Sequence, residues 1–80
     1  MEKEEIKEQL TLIFREVFTD ETIVLQDEMT ANDVERWDSM THMIMISKVE
    51  ESFGVSFKLR ELNKLKQVSN LIDVLYSKLN

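Results

Sequence analysis

One glycine and no proline in eighty residues constrain the fold more than any other feature of the chain. A β sandwich needs many tight turns, and those turns draw heavily on both residues. Strict alternation of apolar and polar positions is nowhere sustained either. What recurs is the helical period. Ile6, Leu10, Ile13, Phe14 and Val17 follow one another at spacings of four, three, one and three, while Glu4, Glu5, Glu8 and Glu16 fall largely outside that stripe. This predicts an amphipathic helix ending near Phe18. A second pattern starts at Ser39, puts Met45, Ile46, Val49 and Phe53 on one side, and stops at Gly54, which tolerates a left-handed C-terminal cap. The second helix therefore spans about Ser39 to Phe53. Val68, Leu71, Ile72, Leu75, Tyr76 and Leu79 give a third stripe, and Lys58 to Asn63 is long enough for one or two further helical turns.

The expected architecture is all-α: a small four-helix bundle of three longer helices and one short one, in a single domain over residues 1–80. Its core should draw on Ile6, Leu10, Phe14, Leu25, Ile46, Val49, Phe53, Val68, Ile72 and Leu75. Thr19 to Asp38 separates the first two helices with twenty residues, seven of them acidic and one basic. A featureless loop of that length is uncommon inside a compact domain. Ile23, Leu25, Met29, Val34 and Trp37 are dispersed apolar anchors, so the expectation is an ordered loop with a short turn of helix near Ala31 to Glu35.

Composition excludes several classes of function. With no cysteine and one histidine, neither a disulfide scaffold nor a structural zinc site is plausible, and no metal site is expected beyond loose divalent-ion binding by the acids, which the sequence leaves open. Asp20 to Glu35 lacks the spacing of a calcium loop. A net charge of −6 argues against nucleic acid or anionic lipid as partners. Through Glu51 there are 14 acids and five bases, whereas Ser52 to Asn80 carries two acids and five bases, so the acidic portion is the expected docking side for a basic protein surface. Apolar residues never run to eighteen in a row, and Met1 leads into Glu-Lys-Glu-Glu. The reading is a soluble, cytoplasmic monomer.

Asp38-Ser39-Met40 lies where the acidic loop meets the second helix. A hydroxyl there projects beside unpaired backbone N–H groups and the positive end of the helix dipole, a place that favours phosphate. Asp38 or Ser39 could equally serve as the helix cap, and three residues do not decide between the two readings. His42 follows Ser39 by three positions and shares its helix face, the spacing of a nucleophile with its base. Against a hydrolase stand the missing Gly-x-Ser-x-Gly elbow, an Asp38 adjacent to Ser39 rather than behind the imidazole, and a chain too short for much of a substrate pocket.

The wider string Trp37-Asp38-Ser39-Met40-Thr41-His42-Met43, followed by Val49-Glu50-Glu51-Ser52-Phe53-Gly54-Val55, resembles the acyl carrier protein family, whose motif is Asp-Ser-Leu opening a helix that closes in Glu-Glu-x-Phe-Gly. The resemblance extends over essentially the whole chain. It implies a carrier, not an enzyme: Ser39 would accept 4'-phosphopantetheine from coenzyme A through a phosphopantetheinyl transferase, with Asp38 as its motif partner. The arm's thiol would then carry acyl or aminoacyl groups as thioesters for loading and transferring enzymes with basic docking patches. Partner recognition would fall to Met40, Met43, Ile44, Ser47, Glu50 and Glu51. Core packing is the alternative for Met43, and a solvated helix face for Glu50 and Glu51.

Met40 stands in place of the motif's leucine, a volume-conserving change. Ile44 and Lys48 replace the acid and the small residue often seen in carriers of fatty acid synthesis, and Lys58, Arg60, Lys64 and Lys66 make the short-helix region basic. These departures speak against the general carrier of fatty acid synthesis, and the Thr30-Ala-Asn-Asp-Val-Glu-Arg-Trp-Asp-Ser39 approach looks more like discrete carriers of specialised pathways, such as surface polysaccharide or natural product assembly. The runner-up is a helical adaptor, derived from a carrier and never modified.

Overall fold

The computed structural model describes residues 1–80. Four helices follow in order, α1 (Lys3–Val17), α2 (Ser39–Phe53), α3 (Leu59–Leu62) and α4 (Val68–Leu79). The fold is an all-α bundle in which α1 packs against both α2 and α4. Each long helix turns most of its predicted stripe inward: Ile6, Leu10, Ile13 and Phe14 from α1, Met45, Ile46 and Val49 from α2, and Val68, Leu71, Ile72 and Leu75 from α4 are buried together, while Tyr76 of the α4 stripe is exposed. At roughly 1.5 to 3 kcal/mol per fully buried large apolar side chain, this shared core is the main source of helix stability, since isolated helices of this length are marginal in water. No helix is long and apolar enough to cross a membrane.

Phe53 departs from expectation. It is half-buried at the rim of the core, because it is the last residue of α2 and the chain turns away at Gly54, whose φ of 66° is left-handed. The first helix ends by the same device without a glycine. Thr19 takes φ 52°, Asp20 N–H donates to Arg15 O at 3.0 Å and Thr19 N–H to Glu16 O at 3.4 Å, the paired bonds of a Schellman turn.

The loop from Phe18 to Asp38 is ordered by burial and by hydrogen bonds at both of its ends. Phe18, Ile23, Leu25, Val34 and Trp37 are all buried. Arg15 Nε donates to Ile23 O at 2.9 Å, fastening the loop to α1. On the far side, Val68 and Ser69 donate their N–H groups to Met29 O and Asp27 O at 3.0 and 2.9 Å. The loop thereby satisfies backbone donors that the start of α4 cannot satisfy itself. The expected helical turn near Ala31 to Glu35 does not form; consecutive turns take its place. Asp33 Oδ2 accepts from Thr30 N–H at 3.0 Å and Thr30 Oγ1 from Asn32 N–H at 3.3 Å, and such local side-chain bonds compete with helix formation.

Candidate functional site

At the start of α2 the structure separates the two readings that Asp38 and Ser39 left open. Asp38 is the cap: its Oδ1 accepts from Met40 N–H and Thr41 N–H, both at 2.9 Å, and Thr41 Oγ1 accepts from Asp38 N–H at 2.8 Å. Thr41 also donates to Arg36 O at 2.7 Å, which ties the cap to the approaching loop. The Thr41 N–H bond, helped by Met40 N–H, holds the Asp38 carboxyl below its ordinary range. His42 N–H donates to Asp38 O at 2.9 Å. Of the donors that open the helix, only that of Ser39 is left over, and its hydroxyl takes no part in the cap. Ser39 is exposed, so an uncommitted hydroxyl and an uncommitted N–H sit side by side at the positive end of the helix dipole.

A groove of about 740 Å³ opens beside Ser39, between the start of α2 and the α3 region. Ala31, Trp37, Met43, Leu59, Leu62 and Leu65 give it an apolar lining, and His42, Asn32, Asn63 and Lys66 supply polar groups. Two contacts hold the α3 wall in place. Glu50 Oε2 accepts from Phe57 N–H at 2.8 Å, fixing the connection from α2, and Glu61 bridges to Lys78 of α4 at 2.9 Å. Glu61 also accepts from Lys58 N–H at 2.7 Å; that bond, ahead of the Lys78 ammonium, lowers its carboxyl from the ordinary value.

His42 is not a base for Ser39. Its Nδ1 accepts from Trp37 Nε1–H at 2.9 Å, and the two rings lie nearly coplanar, edge to edge, 5.9 Å between centroids and 13° between planes. Partial burial lowers its pKa from the ordinary 6.5. With Asp38 bonded to the helix and His42 to Trp37, no nucleophile–base–acid constellation is assembled.

The remaining sequence candidates divide. Met40 is 74% exposed, Met43 51% and Ile44 49%, and Ser47 and Glu51 are exposed as well. Met40, Ile44, Ser47 and Glu51 recur at helical spacing and form one outward stripe of α2. Core packing of Met43 is thereby overturned; Met45 occupies the core position. Glu50 is half-buried and turned to the linker rather than free on that face. Lys48 pairs with Glu16 of α1 at 3.2 Å, an exposed bridge of small energetic weight. Sequence reasoning missed the groove's far wall, Leu59, Leu62, Leu65 and Lys66, and the Trp37–His42 pair. No sequence pattern marked that wall; Leu59, 76% exposed on a one-turn helix, shows it only in the structure.

This chain is similar to a holo acyl carrier protein from Geobacter metallireducens, solved in solution by NMR. The two share 47% identity, the match covers 90% of this chain and 83% of that one, and the TM-score is 0.85. No family model and no curated protein matches. The chain belongs to the acyl carrier protein family.

Proposed function

We propose that this chain is a single carrier domain over residues 1–80 that bears 4'-phosphopantetheine on Ser39 and presents acyl or aminoacyl groups to partner enzymes. The observation that carries the reading is the Ser39 hydroxyl: exposed, outside the Asp38 cap, and next to an unused N–H at the start of α2. The residues fit the group. A phosphodiester on Ser39 would meet that N–H and the helix dipole, worth roughly 0.3 to 1 kcal/mol at an exposed site, enough to orient and too little to catalyse. The apolar wall of Trp37, Met43, Leu59, Leu62 and Leu65 lies alongside for whatever the arm holds. When bound, the group supplies a terminal thiol on a flexible arm, which a chain without cysteine cannot supply itself.

Asp38 shapes the attachment point without touching the chemistry, by capping the helix so that Ser39 need not. Met40, Met43 and Ile44 offer adaptable apolar contacts to partners, with Ser47 and Glu51 extending the same surface. Glu50, turned to the linker, would add negative charge beside that surface rather than on it. Partners would be a phosphopantetheinyl transferase and loading or transferring enzymes with basic patches, met by a cytoplasmic monomer and released quickly. The exposed Lys58, Arg60, Lys64 and Lys66 favour a dedicated set of partners in a specialised pathway over a general fatty acid role.

Incubation with coenzyme A and a phosphopantetheinyl transferase, followed by intact-mass measurement, tests the reading. A gain of one phosphopantetheine that Ser39→Ala abolishes is the expected result. No gain with several transferases overturns it in favour of an unmodified adaptor.

A further inference from the structure

We infer that His42 grips the phosphodiester of an arm on Ser39 through its Nε2–H. The inference rests on the Ser39 reading above and adds a binding residue to it. An indole N–H only donates, so the 2.9 Å contact from Trp37 Nε1 requires Nδ1 of His42 to accept. The neutral ring therefore carries its one hydrogen on Nε2. Trp37 is itself held edge-on against Phe14 at 5.2 Å and tilted against Phe18 at 5.9 Å, so the indole that bonds to His42 is fixed by the core.

Nε2 makes no bond within the protein. No buried side-chain nitrogen or oxygen lacks a partner, so in this half-buried residue Nε2 reaches water. His42 and Ser39 line the same groove. Residues three apart on a helix lie on one face, and helical side chains lean toward the N-terminus, which tips His42 back toward Ser39. The result is a donor of fixed orientation, free of any protein acceptor, within reach of a group on Ser39 Oγ. The charged groups facing it are few. Asp38, on the approach to α2, has its carboxylate bonded to Met40 and Thr41, and Lys66, from the connection between α3 and α4, lines the groove without an ion-pair partner. The loop and α3 contribute the neutral Asn32 and Asn63.

The full chain, unloaded and loaded from coenzyme A, is followed by NMR at the His42 nitrogens and at phosphorus as pH is varied. On loading, the Nε2 resonance moves, the phosphorus resonance titrates together with His42, and the His42 midpoint rises by about half a unit or more, the direction a nearby anion imposes. Trp37→Phe keeps an aromatic ring but frees Nδ1, and the movement shrinks; His42→Gln removes the phosphorus titration; Lys66→Gln retains the movement. A loaded chain whose His42 midpoint and Nε2 resonance match the unloaded chain overturns the inference, as does a movement lost in Lys66→Gln. Both results leave the Ser39 attachment standing. A wild-type chain that gains no mass refutes the attachment, and the inference falls with it.

Discussion

Acidification between about pH 8 and 5 should destabilise this protein through His42 alone, and the Trp37 contact sets the size of the effect. Burial holds the folded pKa of His42 below the ordinary 6.5. The unfolded chain therefore binds the proton more readily, so the His42 contribution is complete above about pH 7 and is lost as pH falls from 6.5 toward the lower folded value. Protonation at Nδ1 replaces an acceptor with a donor facing the Trp37 N–H. That forfeits a hydrogen bond worth about 0.5–1.5 kcal/mol. For a domain of this size, 1 kcal/mol moves Tm by about 4–8 °C. Two other pH effects must be separated from it. Asp20, Asp38 and Glu61, all held below their ordinary values of 3.8 or 4.5, lose their contribution only as pH falls through that more acid range. The net charge of −6 also shrinks on acidification, which relieves self-repulsion and acts the other way. Both backgrounds are shared by His42→Gln, so the assay is the difference between wild-type and variant melting curves across the range. The wild type's advantage over the variant should be largest above pH 7 and shrink toward pH 5 as the wild type weakens, and the single Trp37 should report the same midpoint in fluorescence. A variant whose Tm falls with pH as steeply as the wild type's would refute the reasoning.

The helix ends yield a matched pair of expectations. Thr19→Gly relieves a β-branched residue at φ 52° and should raise stability by about 0.5–1 kcal/mol, read from urea unfolding. Gly54→Ala should lower it by about 1 kcal/mol; an added Cβ meets nothing within 4 Å, so a loss well above 2 kcal/mol would mean the cost is not backbone strain at φ 66°. Glu50→Ala should strip hydrogen-exchange protection from the Phe57 amide and cost about 1 kcal/mol, with Glu50→Gln losing less because an oxygen acceptor remains.

Where a local signal set the structure, the sequence was sufficient. The bounds of α2 follow from Asp38 before the first turn and Gly54 after the last, both of which act on their immediate neighbours. The stripes of α1 and α4 were equally plain, since a helix in a small bundle has one face to bury. The loop between α1 and α2 was legible only as a set of anchors. Its path depends on carbonyls of Asp27 and Met29 reaching the start of α4, some forty residues along the chain, and no local pattern encodes such a bond. The Trp37–His42 pair failed for the same reason: five residues apart but on opposite sides of a helix start, they meet only because Phe14 and Phe18 fix the indole. Phe53 misled because a periodic apolar residue at a helix end need not be covered.

The arrangement at the start of α2 leaves the Ser39 hydroxyl without the partners that would activate it. A hydroxyl becomes a nucleophile when a base is hydrogen-bonded to it and a third group orients the base. Here every polar neighbour is turned elsewhere: Asp38 to Met40 and Thr41, Thr41 to Arg36, His42 to Trp37. Each bond rigidifies the platform while leaving the Ser39 oxygen at its ordinary, low reactivity. On the carrier reading, a visiting enzyme must supply the activation, and the platform needs only to present the oxygen in a constant place. Such a site requires no strained geometry. That suits a domain of eighty residues, whose whole stability is about 4–12 kcal/mol and leaves little to hold reacting groups against one another.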